Sequence, residues 1–226
     1  MKNRKEKIIN DLRLWLSDKG VVDFINEEKM VANSVDGLVY PTQAIQQNEE
    51  EIFEFINYIH NNVNERDIIL EIGLGYFGST HFIFRYFFDM VITIEKDFNR
   101  IRTFNDNLHK FYNNKVDIYK SRFIHNKSYE PSSIYKLAKL LDGKKVDMLF
   151  IDGFHSYEAI LTDFLIYKNF LKPDGYLVFH DYLWPHKDYE LKKFIDSLET
   201  EYNLHKILHS KEQGIVIARS KEHNEK

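Results

Sequence analysis

The chain has no cysteine, and proline and glycine are scarce, with four and nine residues among 226. Without cysteine, a disulfide framework, a thiolate metal site and a cysteine nucleophile are excluded. Long hydrophobic runs are also missing: the longest, such as residues 148–151, fall far short of the roughly 18–20 apolar residues of a membrane-spanning helix. No apolar segment of a secretory signal follows the basic residues 1–7. We therefore expect a cytoplasmic protein with no membrane partner.

Neither sign of charge dominates the sequence. Lys and Arg number 31 against 35 Asp and Glu, which gives a net charge of −4 with charges of both signs mixed along the chain. This balance argues against a dedicated nucleic-acid binder. Apolar residues make up 43% and charged residues 29%, as in ordinary globular proteins, and the length suits one domain with an extension.

Hydrophobic periodicity divides the chain into alternating elements. Helical spacing predicts helices over residues 5–18 and 49–61, and between them the aperiodic residues 32–47 suggest a loop. From residue 68 onward, short apolar runs alternate with helical stretches. The predicted strands are residues 68–72, 90–94, 116–119, 146–151, 176–179, 204–208 and 215–218, and the predicted helices among them are residues 79–88, 99–112, 132–141, 157–170 and 189–198.

This alternation predicts an α/β fold, a doubly wound, Rossmann-like parallel sheet with helices on both faces. The short polar segment 209–214 suits a hairpin between the last two strands, so we expect the sheet to end in an antiparallel edge strand. We divide the chain into an N-terminal helical extension and lid over residues 1–48, the main domain over residues 49–219, and a frayed polar tail over residues 220–226.

A glycine-rich turn follows the first predicted strand. Residues 68–72 lead into Gly73, Gly75 and Gly78, and an apolar helix comes next. Glycine lets the backbone turn tightly there and lets a nucleotide-like ligand approach closely. Glu95 ends the next strand, 22 residues after Gly73, where a carboxylate can accept hydrogen bonds from both hydroxyls of a ribose.

The turn by itself is compatible with NAD, FAD or S-adenosylmethionine. Glu71 discriminates among them, because dinucleotide-binding folds usually have an apolar residue two positions before the first glycine. A carboxylate at that strand end suits a ligand with a cationic amino-acid moiety. The turn also lacks an Arg or Lys for a phosphate group, which favours S-adenosylmethionine.

A second group of polar residues follows two later strands. Asp152 and His155 come directly after residues 146–151, and His180 and Asp181 follow the next strand. Because ligands of doubly wound sheets bind at the carboxyl ends of the strands, we expect all four side chains to face one site. Two carboxylates and two imidazoles can hold Mg²⁺ or Mn²⁺ and leave one group free as a base.

Three segments together resemble the class I S-adenosylmethionine-dependent methyltransferases: residues 71–80, residues 150–158, and residues 171–175 with His180 and Asp181. Within that class, the chain is most similar to the group that includes macrolide-sugar O-methyltransferases and cephalosporin-hydroxylase-like proteins. The resemblance spans about residues 40–219 and implies a seven-stranded sheet, mostly parallel, with an antiparallel last strand. Two residues depart from the family pattern: Phe77 replaces the usual third glycine, and His180 stands where metal-binding relatives often have an acidic residue.

The resemblance implies methyl transfer from S-adenosylmethionine to a hydroxyl of a small polar acceptor, such as a sugar. The site residues that it implies fall into three sets. The cofactor set is Glu71, Gly73, Gly75, Ser79, Thr80, Glu95 and Asp152; the catalytic set is Asp152 with His155 as general base; and the metal set, for an ion such as Mg²⁺, is Asp152, His180 and Asp181. Tyr40 and Gln43 are the expected cofactor contacts of the lid.

Two other functions stay open at this point. A nicotinamide-dependent oxidoreductase would use the same glycine turn and Glu95, but would leave Glu71 and the Asp152–His155 segment unexplained. A non-catalytic binding module of the same fold is compatible with the departures at Phe77 and His180. The sequence carries no readable code for the acceptor or for assembly into a homo-oligomer.

Overall fold

Strands and helices alternate along the described part of the chain. The computed structural model describes residues 7, 8, 10, 11, 14, 48–76, 78–112, 118–184 and 191–223. The strands are β1 (Ile68–Ile72), β2 (Met90–Glu95), β3 (Ser121–His125), β4 (Val146–Ile151), β5 (Leu171–Phe179), β6 (Tyr202–Ile207) and β7 (Ile215–Ser220). The helices are α1 (Glu49–Asn62), α2 (Ser79–Phe87), α3 (Phe98–Phe111), α4 (Pro131–Leu141), α5 (Tyr157–Tyr167) and α6 (Leu191–Ser197).

The strands form one seven-stranded sheet in the order β3-β2-β1-β4-β5-β7-β6. Strands β1 to β5 pair in parallel, and β7 is antiparallel to both of its neighbours, β5 and β6. Ile72 pairs with Ile94 on one side and with Ile151 on the other, so the strands end at a common edge. The predicted seven-stranded, mostly parallel sheet with an antiparallel last strand is confirmed.

As predicted, the last two strands form a hairpin and the sheet ends in an edge strand that is antiparallel to its neighbour. The edge strand is β6, and β7 lies between β5 and β6. Burial explains this order, because the first four residues of β7 are all buried whereas β6 alternates between exposed and partly buried residues. A continuous apolar run needs cover on both faces, and an alternating strand tolerates the edge.

The predicted third strand is also displaced. The described part of residues 116–119 belongs to a short 3-10 turn, Ile118–Lys120, and the strand follows it at Ser121–His125. Only Ile124 of β3 is fully buried, because β3 is the other edge of the sheet. The strand therefore lacks the apolar run by which the central strands are recognised.

Each face of the sheet packs against its own helices. In β1, Ile69 belongs to the hydrophobic cluster that includes residues of α1, α2 and α3, whereas Leu70 belongs to the cluster of α4, α5 and α6. Successive residues of a strand point to opposite faces, so the two clusters are the two sides of one doubly wound sheet. Ile8 is buried in the first cluster, and Tyr86 donates a hydrogen bond to Asp11 over 2.6 Å, so this part of the N-terminal segment packs on the α1–α3 side.

The terminal predictions have mixed outcomes. The described residues of the first predicted helix, 7, 8, 10, 11 and 14, are helical. The lid at residues 32–47, with Tyr40 and Gln43, lies outside the described residues, as does Phe77, and the lid stays a prediction. At the other end, β7 includes Ser220 and a 3-10 turn follows at Lys221–His223, so the predicted frayed tail begins too early. Among the described residues, no helix has the length and apolar character to span a bilayer.

Candidate functional site

The glycine turn connects β1 to α2 at the carboxyl edge of the sheet. Gly73, Gly75 and Gly78 all have positive φ, at +90°, +65° and +61°. A Cβ on Gly73 would lie 2.2 Å from the backbone oxygen of Asp152, and one on Gly78 would lie 2.3 Å from the Phe104 ring. Any other residue would be strained at these positions and would collide with its neighbours, so the turn depends on glycine.

Glu95 lies beside this turn. It is only 4% exposed, its Oε2 accepts a hydrogen bond from Leu74 N over 2.9 Å, and its Oε1 accepts one from Asp97 N over 2.8 Å. Each carboxylate oxygen can accept a second hydrogen bond. The backbone therefore fixes the Glu95 carboxylate while leaving it acceptor capacity for a ligand.

Glu71 is fully buried and its carboxylate turns into the protein. Thr80 donates to its Oε1 over 2.5 Å, and Thr93 of the paired strand donates to its Oε2 over 2.5 Å. Ser79, next to Thr80, is also buried, and its Oγ has no hydrogen-bond partner within the described ranges. A buried hydroxyl without a partner at the start of a helix fits a polar ligand held by the glycine turn.

The second predicted group forms one cluster. His155 Nε2 lies 3.0 Å from Asp181 Oδ2 and 3.6 Å from Asp152 Oδ1. His180 Nδ1 lies 3.1 Å from Asp181 Oδ1 and 3.4 Å from Asp152 Oδ1. The strands bring these residues together because β4 and β5 are adjacent and parallel, with Ile151 beside Phe179.

The cluster combines burial with opposite charges. Burial acts to lower the pKa of both histidines, but the two carboxylates outweigh it, raising the pKa of His155 and raising that of His180 well above its ordinary value. Burial acts to raise the pKa of Asp152, but His180 and His155 outweigh it and lower that pKa. The backbone of Asp181 has φ +56°, in the left-handed region that residues other than glycine adopt uncommonly.

Three of these side chains are placed to hold a metal ion. The ligand atoms of Asp152, His155 and Asp181 lie within 4.8 Å of one another. Asp181 Oδ1 is buried and has no hydrogen-bond partner among the described residues. Two carboxylates and one imidazole suit an octahedral divalent ion such as Mg²⁺ or Mn²⁺, so the donor set fits. The predicted set contained His180 where this geometry has His155.

Several polar residues at the site escaped the sequence prediction. His81, Thr93 and Ser121 form a buried network with Glu71, and Asp163 lies beside the loop that carries His155, since a Cβ on Gly153 would be 3.3 Å from Asp163 Oδ2. A signal existed for two of them, because Thr93 interrupts an apolar strand and His81 an apolar helix. The hydrogen bonds among these residues connect α2, β2 and β3, which are distant in sequence, so a local pattern does not predict them.

Comparisons with known proteins agree with this architecture. A family model described as a methyltransferase domain matches residues 43–182. The O-methyltransferase of Bacillus cereus, in complex with S-adenosylhomocysteine, is similar with a TM-score of 0.58 and 16% identity over 91% of this chain and 92% of that chain. The O-methyltransferase TomG of Streptomyces achromogenes, involved in tomaymycin synthesis and in complex with S-adenosylmethionine, gives a TM-score of 0.58 and 15% identity over 90% of each chain.

For two other relatives, the match spans less than half of the relative's own length. The MycE methyltransferase of the mycinamycin biosynthetic pathway, in complex with Mg and S-adenosylhomocysteine, is similar with a TM-score of 0.52 and 16% identity over 74% of this chain and 48% of that chain. An uncharacterised protein of Acanthamoeba polyphaga mimivirus is 36% identical over 69 residues, or 30% of this chain. The match spans 31% of that curated relative.

The family model covers more than half of the chain, from the segment before α1 to the end of the acid and histidine cluster. The observed sheet has the seven strands and the antiparallel last strand that the resemblance implied. The chain therefore belongs to the methyltransferase-domain family, and it has the fold of methyltransferases that are known in complex with S-adenosylhomocysteine or S-adenosylmethionine.

Proposed function

We propose that this methyltransferase methylates a hydroxyl oxygen of a small polar acceptor, such as a sugar. The observation that carries the proposal is the direct contact between the two halves of the site. The Gly73 turn packs on the backbone of Asp152 so closely that a Cβ would lie 2.2 Å from its carbonyl oxygen. A cofactor on the turn would thus lie next to the acid and histidine cluster, where an acceptor oxygen can be activated.

The glycine turn and Glu95 are the proposed cofactor-binding elements. Glu95 has acceptor capacity for ribose hydroxyls, and Ser79 Oγ offers a buried polar atom near the methionine end. Gly73 and Gly75 let the ligand approach the backbone. The methyl group of the bound sulfonium is already activated, so the protein must mainly align the acceptor and exclude water.

His155 is the proposed general base. A sugar hydroxyl ionises too weakly near neutral pH to attack unaided, so a group at the site must accept its proton. Asp181 lies 3.0 Å from His155 Nε2 and can accept its N–H, which would leave Nδ1 to take the proton. The two neighbouring carboxylates raise the pKa of His155 and so make it a stronger proton acceptor once it is neutral.

Asp152 and Asp181 are the proposed ligands of a divalent cation, such as Mg²⁺. When bound, such an ion lowers the pKa of a coordinated hydroxyl and fixes its position. The burial of Asp181 and its left-handed backbone conformation, which fixes the carboxylate at the end of β5, favour this role. MycE, a relative at the level of fold, binds Mg together with S-adenosylhomocysteine.

Aromatic side chains near His155 favour a sugar-like acceptor. The Trp184 ring lies 5.1 Å from the His155 ring, and Phe154 in the same loop is 61% exposed. Small-ligand sites commonly combine aromatic surfaces with a few polar groups, and the apolar face of a sugar ring can stack on such surfaces. The polar cluster and the aromatic rings together suit an acceptor that has both hydroxyl groups and an apolar face.

A methyl-transfer assay tests the proposal. The protein is incubated with S-adenosylmethionine and a panel of sugar and phenolic hydroxyl compounds, with Mg²⁺ or with a chelator, and mass spectrometry detects the methylated product. We expect an O-methylated sugar and a loss of activity with chelator. Binding of S-adenosylhomocysteine without turnover of any acceptor would favour the non-catalytic module, and full activity after exhaustive chelation would remove the metal role.

The activity assay, combined with calorimetric titration of Mn²⁺, distinguishes two possible roles of His155. As a base, His155→Ala should lower turnover by about 10²–10⁴-fold and leave the affinity for Mn²⁺, measured by calorimetry, unchanged. As a third metal ligand, which the geometry also permits, its loss should weaken Mn²⁺ binding. The control is His205→Ala on the edge strand β6, where the imidazole packs on Tyr58 and should affect neither measurement.

A further inference from the structure

A chain of hydrogen bonds runs from α2 through three strands to Glu71. Arg85 donates to Ser121 Oγ over 2.5 Å, and Ser121 Oγ lies 2.8 Å from His81 Nε2. His81 Nδ1 lies 2.7 Å from Thr93 Oγ1, and Thr93 donates to Glu71 over 2.5 Å. This series of hydrogen bonds connects the guanidinium of Arg85 to the fully buried carboxylate of Glu71.

The direction of every bond in this chain follows from its two ends. A carboxylate only accepts, so the Thr93 hydroxyl proton points to Glu71 and Thr93 Oγ1 must accept from His81 Nδ1–H. A guanidinium only donates, so Ser121 Oγ accepts from Arg85 and can give its own proton to His81 Nε2. The neutral imidazole with its proton on Nδ1 meets both requirements and lets Ser121 use its hydroxyl proton, whereas an imidazolium would need Ser121 Oγ to accept two hydrogen bonds and would place a charge in a fully buried ring.

The surroundings of His81 support this state. The imidazole is fully buried, stacks on Phe123 with ring centroids 4.7 Å apart and meets the edge of Phe104 at 4.9 Å. These rings fix its orientation, so its two nitrogens cannot exchange partners. Burial lowers the pKa of His81, although Glu71 acts to raise it, which favours the neutral form.

We infer that His81 and Ser121 are positioning residues that orient the Thr93 hydroxyl toward Glu71 and hold a negative charge behind the methionine end of the cofactor site. The inference rests on the proposed function and on the cofactor role that the sequence resemblance implies for Glu71. Aligned donors stabilise a carboxylate at a depth where an unpaired charge would be costly. The charge favours a cationic sulfonium, so it distinguishes S-adenosylmethionine from S-adenosylhomocysteine, whose sulfur is neutral.

The first test uses the unmodified protein. Long-range ¹⁵N–¹H NMR spectra of the imidazoles distinguish the Nδ1–H tautomer, the Nε2–H tautomer and the imidazolium, and the His81→Asn variant identifies the signals of His81. We expect the Nδ1–H tautomer. In Ser121→Ala, His81 Nε2 loses its donor while Thr93 still requires a proton on Nδ1, so the Nε2 ¹⁵N signal should shift and the Nδ1–H tautomer should persist. An imidazolium or an Nε2–H tautomer in the unmodified protein overturns the inference.

The second test measures affinities by calorimetry for S-adenosylmethionine and S-adenosylhomocysteine. We expect Glu71→Gln to reduce the preference for the cationic ligand by roughly tenfold, and Ser121→Ala by roughly threefold. Ser197→Ala is the control, because it removes a serine hydroxyl that donates to Phe194 O on α6, and it should change neither affinity. An unchanged preference in Ser121→Ala alone overturns the positioning role, whereas an unchanged preference in Glu71→Gln overturns the cofactor role of Glu71 itself.

Discussion

Asp163 offers a quantitative test of how the loop that carries His155 is supported. Its side chain lies on α5, the residue is 3% exposed, and its Oδ2 faces Gly153. Burial raises the pKa of this carboxyl from its ordinary value of 3.8 to about 6, and a hydrogen bond with Ser128 only partly opposes the rise. The substitution Asp163→Asn removes the ionisable group while keeping the size of the side chain.

The raised pKa fixes the sign of the effect. A carboxyl with a raised folded-state pKa stabilises the fold fully below pH 3.8, and that contribution is lost as the pH rises through about 6. The full shift corresponds to about 3 kcal/mol at pH 8, and about 1.6 kcal/mol of it has already been lost at pH 5. The stability of Asp163→Asn relative to the native chain should therefore increase by about 1.4 kcal/mol between pH 5 and pH 8.

Urea unfolding followed by circular dichroism at pH 5, 6, 7 and 8 measures this difference. Asp196→Asn is the matched control. Burial acts to raise the pKa of Asp196, but hydrogen bonds from Lys192, Lys206 and Tyr182 lower it to about 2. Both its folded and its unfolded pKa lie below pH 5, so the stability change in this variant should not vary from pH 5 to pH 8. A flat or opposite trend for Asp163→Asn would refute the reasoning.

Three further changes test the site. Glu95→Ala should weaken S-adenosylhomocysteine binding by about 1.5–3 kcal/mol without unfolding the chain, and an unchanged calorimetric affinity would contradict its ribose role. Gly73→Ala should abolish cofactor binding and lower the melting temperature, because its Cβ would collide with the Asp152 carbonyl oxygen; a native melting temperature would contradict that packing. Asp181→Asn should raise the Mg²⁺ concentration needed for half-maximal activity, and an unaltered Mg²⁺ titration would exclude Asp181 as a ligand.

Much of the candidate site could be predicted because its residues follow buried strands directly. The last four residues of β4 and of β5 are apolar and buried, so the positions of Asp152, His155, His180 and Asp181 at a shared edge follow from the parallel sheet. The edge strand β3 could not be located in the same way. Its sequence has a single buried position, Ile124, and the described residues just before it, Ile118–Lys120, form a 3-10 turn and not a strand.

The orientation of the Glu71 side chain could not be predicted from the sequence around it. Its place in the sequence correctly marks the end of β1 beside the glycine turn. The orientation of its carboxylate depends on Thr93, which register pairing brings alongside from β2, and on Thr80 at the start of α2. These partners are 22 and 9 residues away, and only the assembled sheet shows that the carboxylate turns inward.

The distribution of carboxylates along the sheet edge connects binding to turnover. Glu71, Glu95, Asp152 and Asp181 follow or end four neighbouring strands, and three of the four residues are at least 95% buried. Such an edge attracts a ligand that carries a sulfonium charge more strongly than one that does not. The proposed methyl transfer would remove that charge, so the same carboxylates would hold the product less tightly than the donor. Because product release limits many enzymes, an edge rich in carboxylates suits repeated turnover as well as binding.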